Sequence, residues 1–366
     1  MNDVVVPAAD PRLRFNKFED ELLKASQKFL RQGSYILGEA VQKFEKSFAA
    51  YIGTKYAVAV NSGTDALFLG LLAAGIKPED EVITTSVSAP ATVVAILRAG
   101  AVPVVVDVEG PACCLSPTQA ERAITAKTKV ILPVHLHGYA ANMNKLCALA
   151  RKYDLSVLED CAQAQGADYG GARLGTLGKC AAFSFYPTKN LGCLGDGGAV
   201  TTDDPKLAEK LFALRHYGMD RHGRVTRIGA NSRLDELQAA FLNILLPHLD
   251  DYNKKRVIYA HAYNDHFTEF SEVLPPIVPG SVYHQYAIRV ENRDAFRQKL
   301  MDRGIATNIH YPYTMNDHSA LSPYCHKVPQ AEKCVGKFVS LPIQPEILDQ
   351  HFEKIIQAVT QCLKAQ

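Results

Sequence analysis

No stretch of this sequence approaches the ~20 consecutive apolar residues of a membrane-spanning helix, so a membrane-embedded function has no support. The first residues, MNDVVVPAADPRLRF, lack the basic patch and apolar run of a secretory leader. No charge of one sign dominates either: 40 Lys and Arg against 38 Asp and Glu leave a net charge of +2. That balance gives no electrostatic case for a nucleic-acid or acidic-membrane partner. Cysteine pairing is absent too. The nine cysteines are scattered, odd in number and free of C-x-x-C spacing, which argues against a disulfide framework and against a zinc cage. A reducing cytoplasm is the expected location. There is no internal repeat and no low-complexity tract. What remains is an ordinary globular composition, 47% hydrophobic and 21% charged over 366 residues. That length suits about two domains and a core that needs no cross-links.

The most informative stretch runs from Val157 to Val200, VLEDCAQAQGADYGGARLGTLGKCAAFSFYPTKNLGCLGDGGAV. Asp160 closes one apolar run and Lys189 follows a second. An apolar run ending in a polar tip reads as a buried strand whose end meets a site, because ligand crevices in open α/β sheets lie at the carboxyl ends of strands. An acid and a lysine so placed suit pyridoxal phosphate, which needs a lysine for its Schiff base and an acid to keep its ring nitrogen protonated. Taken singly, Lys189 reads as a solvated loop lysine and Asp160 as a helix cap. Gly192, Gly195, Gly197 and Gly198 follow, but their spacing is not G-x-G-x-x-G, so a dinucleotide site is not supported.

Upstream, residues 16–33 pattern as an amphipathic helix and EAVQKFEKSFAAYIG as another, with SYILG between them. Tyr56–Val60 reads as a strand that turns through Asn61-Ser62-Gly63-Thr64-Asp65 into a helix. Such a junction offers free N–H groups and a positive dipole end to an anion. Gly63, Thr64 and Asp65 are therefore candidates to cradle a phosphate, with helix capping by Thr64 or Asp65 as the alternative. Strands over 81–85, 103–108, 128–134 and 157–159 alternate with helices over 91–99 and 143–153, which predicts an α/β fold with a largely parallel sheet. His135-Leu136-His137 has no carboxylate nearby in sequence, and strand-end packing explains it better than a metal. A helical region opens at Asn231. Pro275-Pro276 and Pro279-Gly280 break the pattern. Strands over 286–290, 306–311 and 339–342 and helices over 293–303 and 346–363 then predict a compact α+β unit. The division expected is 1–250 for a large α/β domain and 251–366 for a small one.

EDCAQAQGA, FSFYPTKNLGCLGDGGAV and NSRLDELQAA together resemble the DegT/DnrJ/EryC1/StrS family of pyridoxal-phosphate-dependent nucleotide-sugar aminotransferases. The likeness runs from about Tyr35 to about Pro345. It implies a fold-type I enzyme, with a mixed, mostly parallel sheet flanked by helices and a smaller C-terminal α+β domain. It implies Lys189 and Asp160 as catalytic residues, Gln163 at the phenolic oxygen of the cofactor, and Ser184 with Gly63, Thr64 and Asp65 at its phosphate. Asn231 is implied to reach the phosphate of a neighbouring subunit, in a homodimer with shared sites; capping a helix is the other use of that residue. Tyr35, His310 and Tyr311 are implied to face the sugar, where a core tyrosine and a satisfied strand-end histidine are the plainer readings. A nucleotide-linked keto-6-deoxyhexose, of the dTDP 3-keto kind with amination at C-4 as the alternative, and the amino donor L-glutamate follow from the resemblance alone. At Ala89 the sequence departs from the pattern, since many members place a ring-stacking aromatic there. A related dehydratase branch replaces the lysine by histidine and is excluded by Lys189. A desulfurase needs a catalytic cysteine on a mobile loop, which Cys193 in its glycine-tight turn is not. A regulatory protein on a dead scaffold is disfavoured by the intact Lys189, Asp160 and Gln163.

Overall fold

The computed structural model describes residues 5–365; residues 1–4 and 366 lie outside the described residues. Its centre is a seven-stranded sheet. In spatial order the strands are Tyr56–Val60, Gly198–Thr202, Cys180–Ser184, Ser156–Asp160, Thr128–Leu132, Glu81–Thr85 and Val102–Val106. Pairing is parallel except around Gly198–Thr202, which runs antiparallel to both neighbours. The other six strands therefore end on one edge. Val58, Val82, Ile83 and Val130 are buried, as expected of a sheet covered on both faces.

Sequence signals explain the helices that frame that edge. The first amphipathic stretch forms two helices, α1 (Pro11–Lys17) and α2 (Glu19–Gln32), because Phe18 leaves helical geometry between them. Gly33 ends α2 in the left-handed conformation, at φ 74°. Helix α3 (Glu39–Ile52) has no capping side chain of its own. Instead the buried carboxylate of Glu236 accepts N–H bonds from Gly38, Ala40 and Val41. A side chain at Gly38 would stand 2.8 Å from that carboxylate, so the turn requires glycine. Helix α4 (Gly63–Ala74) follows the first strand, and α5 (Ala91–Arg98) follows the Glu81–Thr85 strand.

A second apolar cluster lies beyond the sheet. It joins Val6, Tyr263 and Phe267 to Phe296, Ile305 and the C-terminal helix Pro345–Lys364. Its two-stranded antiparallel sheet pairs Tyr286–Arg289 with Phe338–Leu341. The strand expected over 306–311 is absent. Only an isolated bridge joins Asn308 to Ser340, because other partners take the backbone. Arg297 donates to the Thr307 carbonyl and His137 meets the His310 carbonyl. Among the described residues no helix is long and apolar enough to cross a membrane.

Candidate active site

A cavity of about 300 Å³ opens at the carboxyl edge of the sheet. Ser62, Gly63 and Thr64 enter it from the first strand, Ala89 and Thr92 from the turn into α5, and Val134 from beyond the Thr128–Leu132 strand. Asp160 and Gln163 come from the next strand end, Ser184, Tyr186 and Lys189 from the one after, and Tyr311 from the C-terminal part. The sheet thus gathers side chains that are up to 249 positions apart, from Ser62 to Tyr311.

Asp160 is buried, at 3% exposure. Its carboxylate accepts from the Thr92 hydroxyl at 3.0 Å and the Ala162 N–H at 3.1 Å. Burial raises its pKa, opposed by those bonds and by the positive charge of Lys189. Lys189 sits in a tight turn in which its N–H donates to the Tyr186 carbonyl. Burial pulls its amine down to about 8, and the pull of Asp160 offsets this only in part. Acid and base line one cavity in which burial disfavours the charged form of each, the kind of perturbation that marks a functional site.

The turn into α4, where a phosphate cradle is expected, is built by close packing. A side chain at Gly63 would come within 2.6 Å of the Ser184 side chain, and one at Gly198 within 2.4 Å of the Ser62 carbonyl. Only glycine permits this approach. The N-cap of α4 is Ser62, whose hydroxyl accepts from the Asp65 N–H at 3.1 Å. That bond occupies the Asp65 amide, and the Asp65 carboxylate is turned to Arg98 at 2.7 Å. Asp65 is thus not brought to the cavity wall, whereas Gly63 and Thr64 are. Neither thread of the capping alternative at Thr64 or Asp65 applies. The pattern Ser62-x-x-Asp65 carries the capping signal that points to Ser62.

Gln163 is fixed on both sides. Its carbonyl oxygen accepts from the His137 N–H at 2.6 Å, and its amide donates to the Tyr311 hydroxyl at 2.7 Å. His310 stands behind this wall, with Nδ1 against the Ser340 hydroxyl at 2.9 Å. Burial drops His310 to about 3 and His137 to about 4, so both rings are neutral at pH 7. Tyr35 is exposed and packs its ring edge-on to Phe29, away from the cavity. Asn231 lines a separate surface hollow with Asn61, Arg233 and Asp235; that hollow meets the cavity at Asp196.

The His135 pattern is also resolved. His135, Glu159 and Cys161 bring ligand-type atoms within 4.8 Å of one another. However, the Glu159 carboxylate is already the acceptor for the N–H groups of Gly175, Leu177 and Gly178 and for His135. His135 Nδ1 accepts from the Ala141 N–H, which places its proton on Nε2 toward Glu159. Burial holds the Cys161 thiol well above its ordinary pKa, against thiolate ligation. His135 and Glu159 form a hydrogen-bonded brace under the sheet edge, with the Cys161 thiol beside it.

Residues 16–360 match the DegT/DnrJ/EryC1/StrS aminotransferase family. The chain belongs to that family. Over 360 residues it is 42% identical to the dTDP-3-amino-3,4,6-trideoxy-alpha-D-glucose transaminase of Streptomyces venezuelae, a match covering 97% of this chain and 95% of the relative. It is 39% identical over 364 residues to a protein of Geobacillus stearothermophilus named as a pleiotropic regulatory protein, covering 97% of this chain and 98% of that one. Among solved structures, S. venezuelae DesV in complex with a ketimine intermediate superposes with a TM-score of 0.94 at 42% identity, covering 98% of each chain. Bacillus subtilis NtdA with bound cofactor PMP gives 0.92 at 31% identity, covering 100% of this chain and 86% of that one. The DegT/DnrJ/EryC1/StrS architecture accounts for the seven-stranded sheet and for the cavity at its carboxyl edge.

The residues present fit a pyridoxal-type cofactor. Asp160 is a buried carboxylate with two neutral donors and no cation in hydrogen-bond contact, which a protonated ring nitrogen would supply. Among the described residues the Lys189 amine has no hydrogen-bond partner, and the charge of Asp160 acts on it. Gly63 and Thr64 head a helix whose first N–H groups have no partner among the described residues.

Proposed function

We propose that this chain is a pyridoxal-phosphate-dependent aminotransferase that converts the keto group of a nucleotide-linked 6-deoxyhexose to an amine. The observation that carries the reading is Lys189 and Asp160 in one cavity at the sheet edge, beside the N–H groups that open α4. When bound, the cofactor supplies an electron-accepting ring and an aldehyde carbon through which the amino group passes. Lys189 Nζ is the amine that would hold the cofactor's aldehyde carbon, and as a free amine it would take and return the α-proton of the donor amino acid. An amine near pKa 8 can both take and give a proton at neutral pH. The Asp160 carboxylate holds the proton of the ring nitrogen, and Thr92 orients that carboxylate. Gly63, Thr64 and Ser184 hold the phosphate, and Gln163 the phenolic oxygen. Residues 1–250 form the cofactor-binding unit, and residues 251–366 bring Tyr311 to the sugar.

L-glutamate is the donor in this reading, and the carbonyl is at C-3 of a dTDP-linked sugar. Support comes from Tyr283–Val290, YHQYAIRV, and Ile305–Pro312, IATNIHYP, which resemble the 3-amino-sugar members of the family more than the C-4 group, and from the 3-amino product named for the S. venezuelae relative. The test is kcat/KM on matched 3-keto and 4-keto dTDP-6-deoxyhexoses with glutamate. A preference of at least about tenfold, or 1.4 kcal/mol, for the 3-keto sugar is expected. Preference for the 4-keto sugar overturns the carbonyl position and leaves the aminotransferase. A regulatory role, suggested by the name of the G. stearothermophilus relative, would leave Lys189 and Asp160 without work.

The site is completed across a homodimer in this reading, with Asn231 of one subunit at the phosphate of the other. Mixing Lys189→Ala and Asn231→Ala chains under conditions of subunit exchange gives heterodimers with both lesions in one site and none in the other. Activity is expected to recover in part, measured against each parent. No recovery despite verified exchange contradicts the shared site.

A further inference from the structure

The turn that presents Lys189 is held from behind by a residue far away in sequence. Arg14, in α1, is 4% exposed. Its guanidinium donates to the carbonyl oxygens of Lys189 at 2.9 Å and of Asn190 at 3.1 Å. Its Nε lies 3.6 Å from Glu346 at the head of the C-terminal helix, and neither that Nε nor the Glu346 oxygens makes a hydrogen bond. A buried charge so loosely paired is a poor source of stability, because desolvation offsets most of the ion-pair attraction. What two carbonyls sharing one guanidinium do gain is a fixed orientation of the two peptides that flank Asn190, the first of them the Lys189–Asn190 peptide itself.

The surroundings strengthen that orientation. Asn190 donates to Asn253 at 2.8 Å and accepts from His284 at 3.0 Å, so the position after Lys189 is gripped from the opposite side. Helix α1 is itself anchored: Asp10 exchanges two hydrogen bonds with Gln344, and Val6 bridges Gly304 and Ala306. Arg14 therefore approaches Lys189 from a braced element.

We propose that Arg14 is a positioning residue for Lys189: by fixing the carbonyls of Lys189 and Asn190 behind the cavity, it directs the lysine side chain toward Asp160. The proposal rests on Lys189 being the reactive amine. Misplacing a reacting group by about 1 Å can cost on the order of 10²-fold in rate even when the change is made at a distance.

The test uses the full-length protein with Arg14→Gln, Arg14→Met and Arg14→Lys, each checked for folding by circular dichroism. With cofactor, kcat is expected to fall by at least about tenfold in the Gln and Met variants while KM for the sugar changes by less than about threefold. Arg14→Lys, which keeps the charge with a shorter reach, is expected to fall between. In cofactor-free protein the pH profile of Lys189 acetylation, read by mass spectrometry, reports the amine directly. Asp160, His284 and His310 are the titratable groups whose fields reach Lys189. Its midpoint is expected near 8 in the wild type and nearer the ordinary 10.5 in the variants, as the loosened turn lets water reach the amine. A folded Arg14→Gln protein with wild-type kcat and an unmoved acetylation profile overturns the proposal; this variant also decides if Arg14→Met does not fold. If Lys189→Ala keeps its turnover, the reading of Lys189 fails instead, whatever Arg14 does.

Discussion

Replacing Lys189 with alanine is expected to lower kcat by at least about 10³-fold, within the range of a missing general base plus a missing nucleophile. The fold should persist. Lys189 is on a turn, its amine has no hydrogen-bond partner among the described residues, and its truncation removes a group that burial already disfavours in its charged form. Circular dichroism and urea unfolding should therefore match the wild type within about 1 kcal/mol. KM for the nucleotide sugar should change little, because the sugar is held by other groups. Wild-type turnover in the alanine variant would remove the lysine from the mechanism.

Asp160→Asn is expected to lower kcat by about 10²–10³-fold, the scale of one electrostatic contribution made at the reacting centre. Asparagine preserves the size and can keep contact with Thr92 and the Ala162 N–H, but it carries no negative charge to hold a proton on the ring nitrogen. Stability should move the opposite way. The carboxylate is raised in pKa by burial, so its ionised form is disfavoured in the folded, cofactor-free chain. Such a group's contribution falls as pH rises from its unfolded to its folded pKa, and at neutral pH the folded chain bears a net cost. The cofactor-free Asn variant should unfold at an equal or higher urea concentration than the wild type. Lost activity with retained or increased stability marks a residue kept for chemistry. An Asn variant with unchanged kcat contradicts this role.

The placement of both residues at the sheet edge was legible because Asp160 closes a short apolar run and Lys189 follows another, and strand ends in a parallel sheet share one edge. The helix boundaries were legible where glycine or a capping residue marks them, as at Gly33 and Gly53. What stayed hidden depends on distant partners. Thr92 meets Asp160 across 68 positions and Arg14 meets Lys189 across 175. Neither has a local pattern to reveal it. The same reason removed the strand expected over 306–311, whose alternation is real but whose carbonyls are taken by Arg297 and His137. Asp65 was read as part of an anion-binding turn, yet the Ser62 hydroxyl takes its N–H, and only Gly63 and Thr64 of the three line the cavity. Tyr35 and Asn231 lie outside the cavity of their own chain, where only a second subunit could give them the roles that the resemblance implies.

The central claim is that one lysine at the sheet edge holds the cofactor. Its most direct test is borohydride reduction of the protein loaded with pyridoxal phosphate, followed by digestion and peptide mass mapping. The account expects the reduced cofactor on the peptide containing Lys189 and on no other lysine, with Lys189→Ala giving none. Stoichiometric label on a different lysine, with Lys189 unmodified, would contradict it.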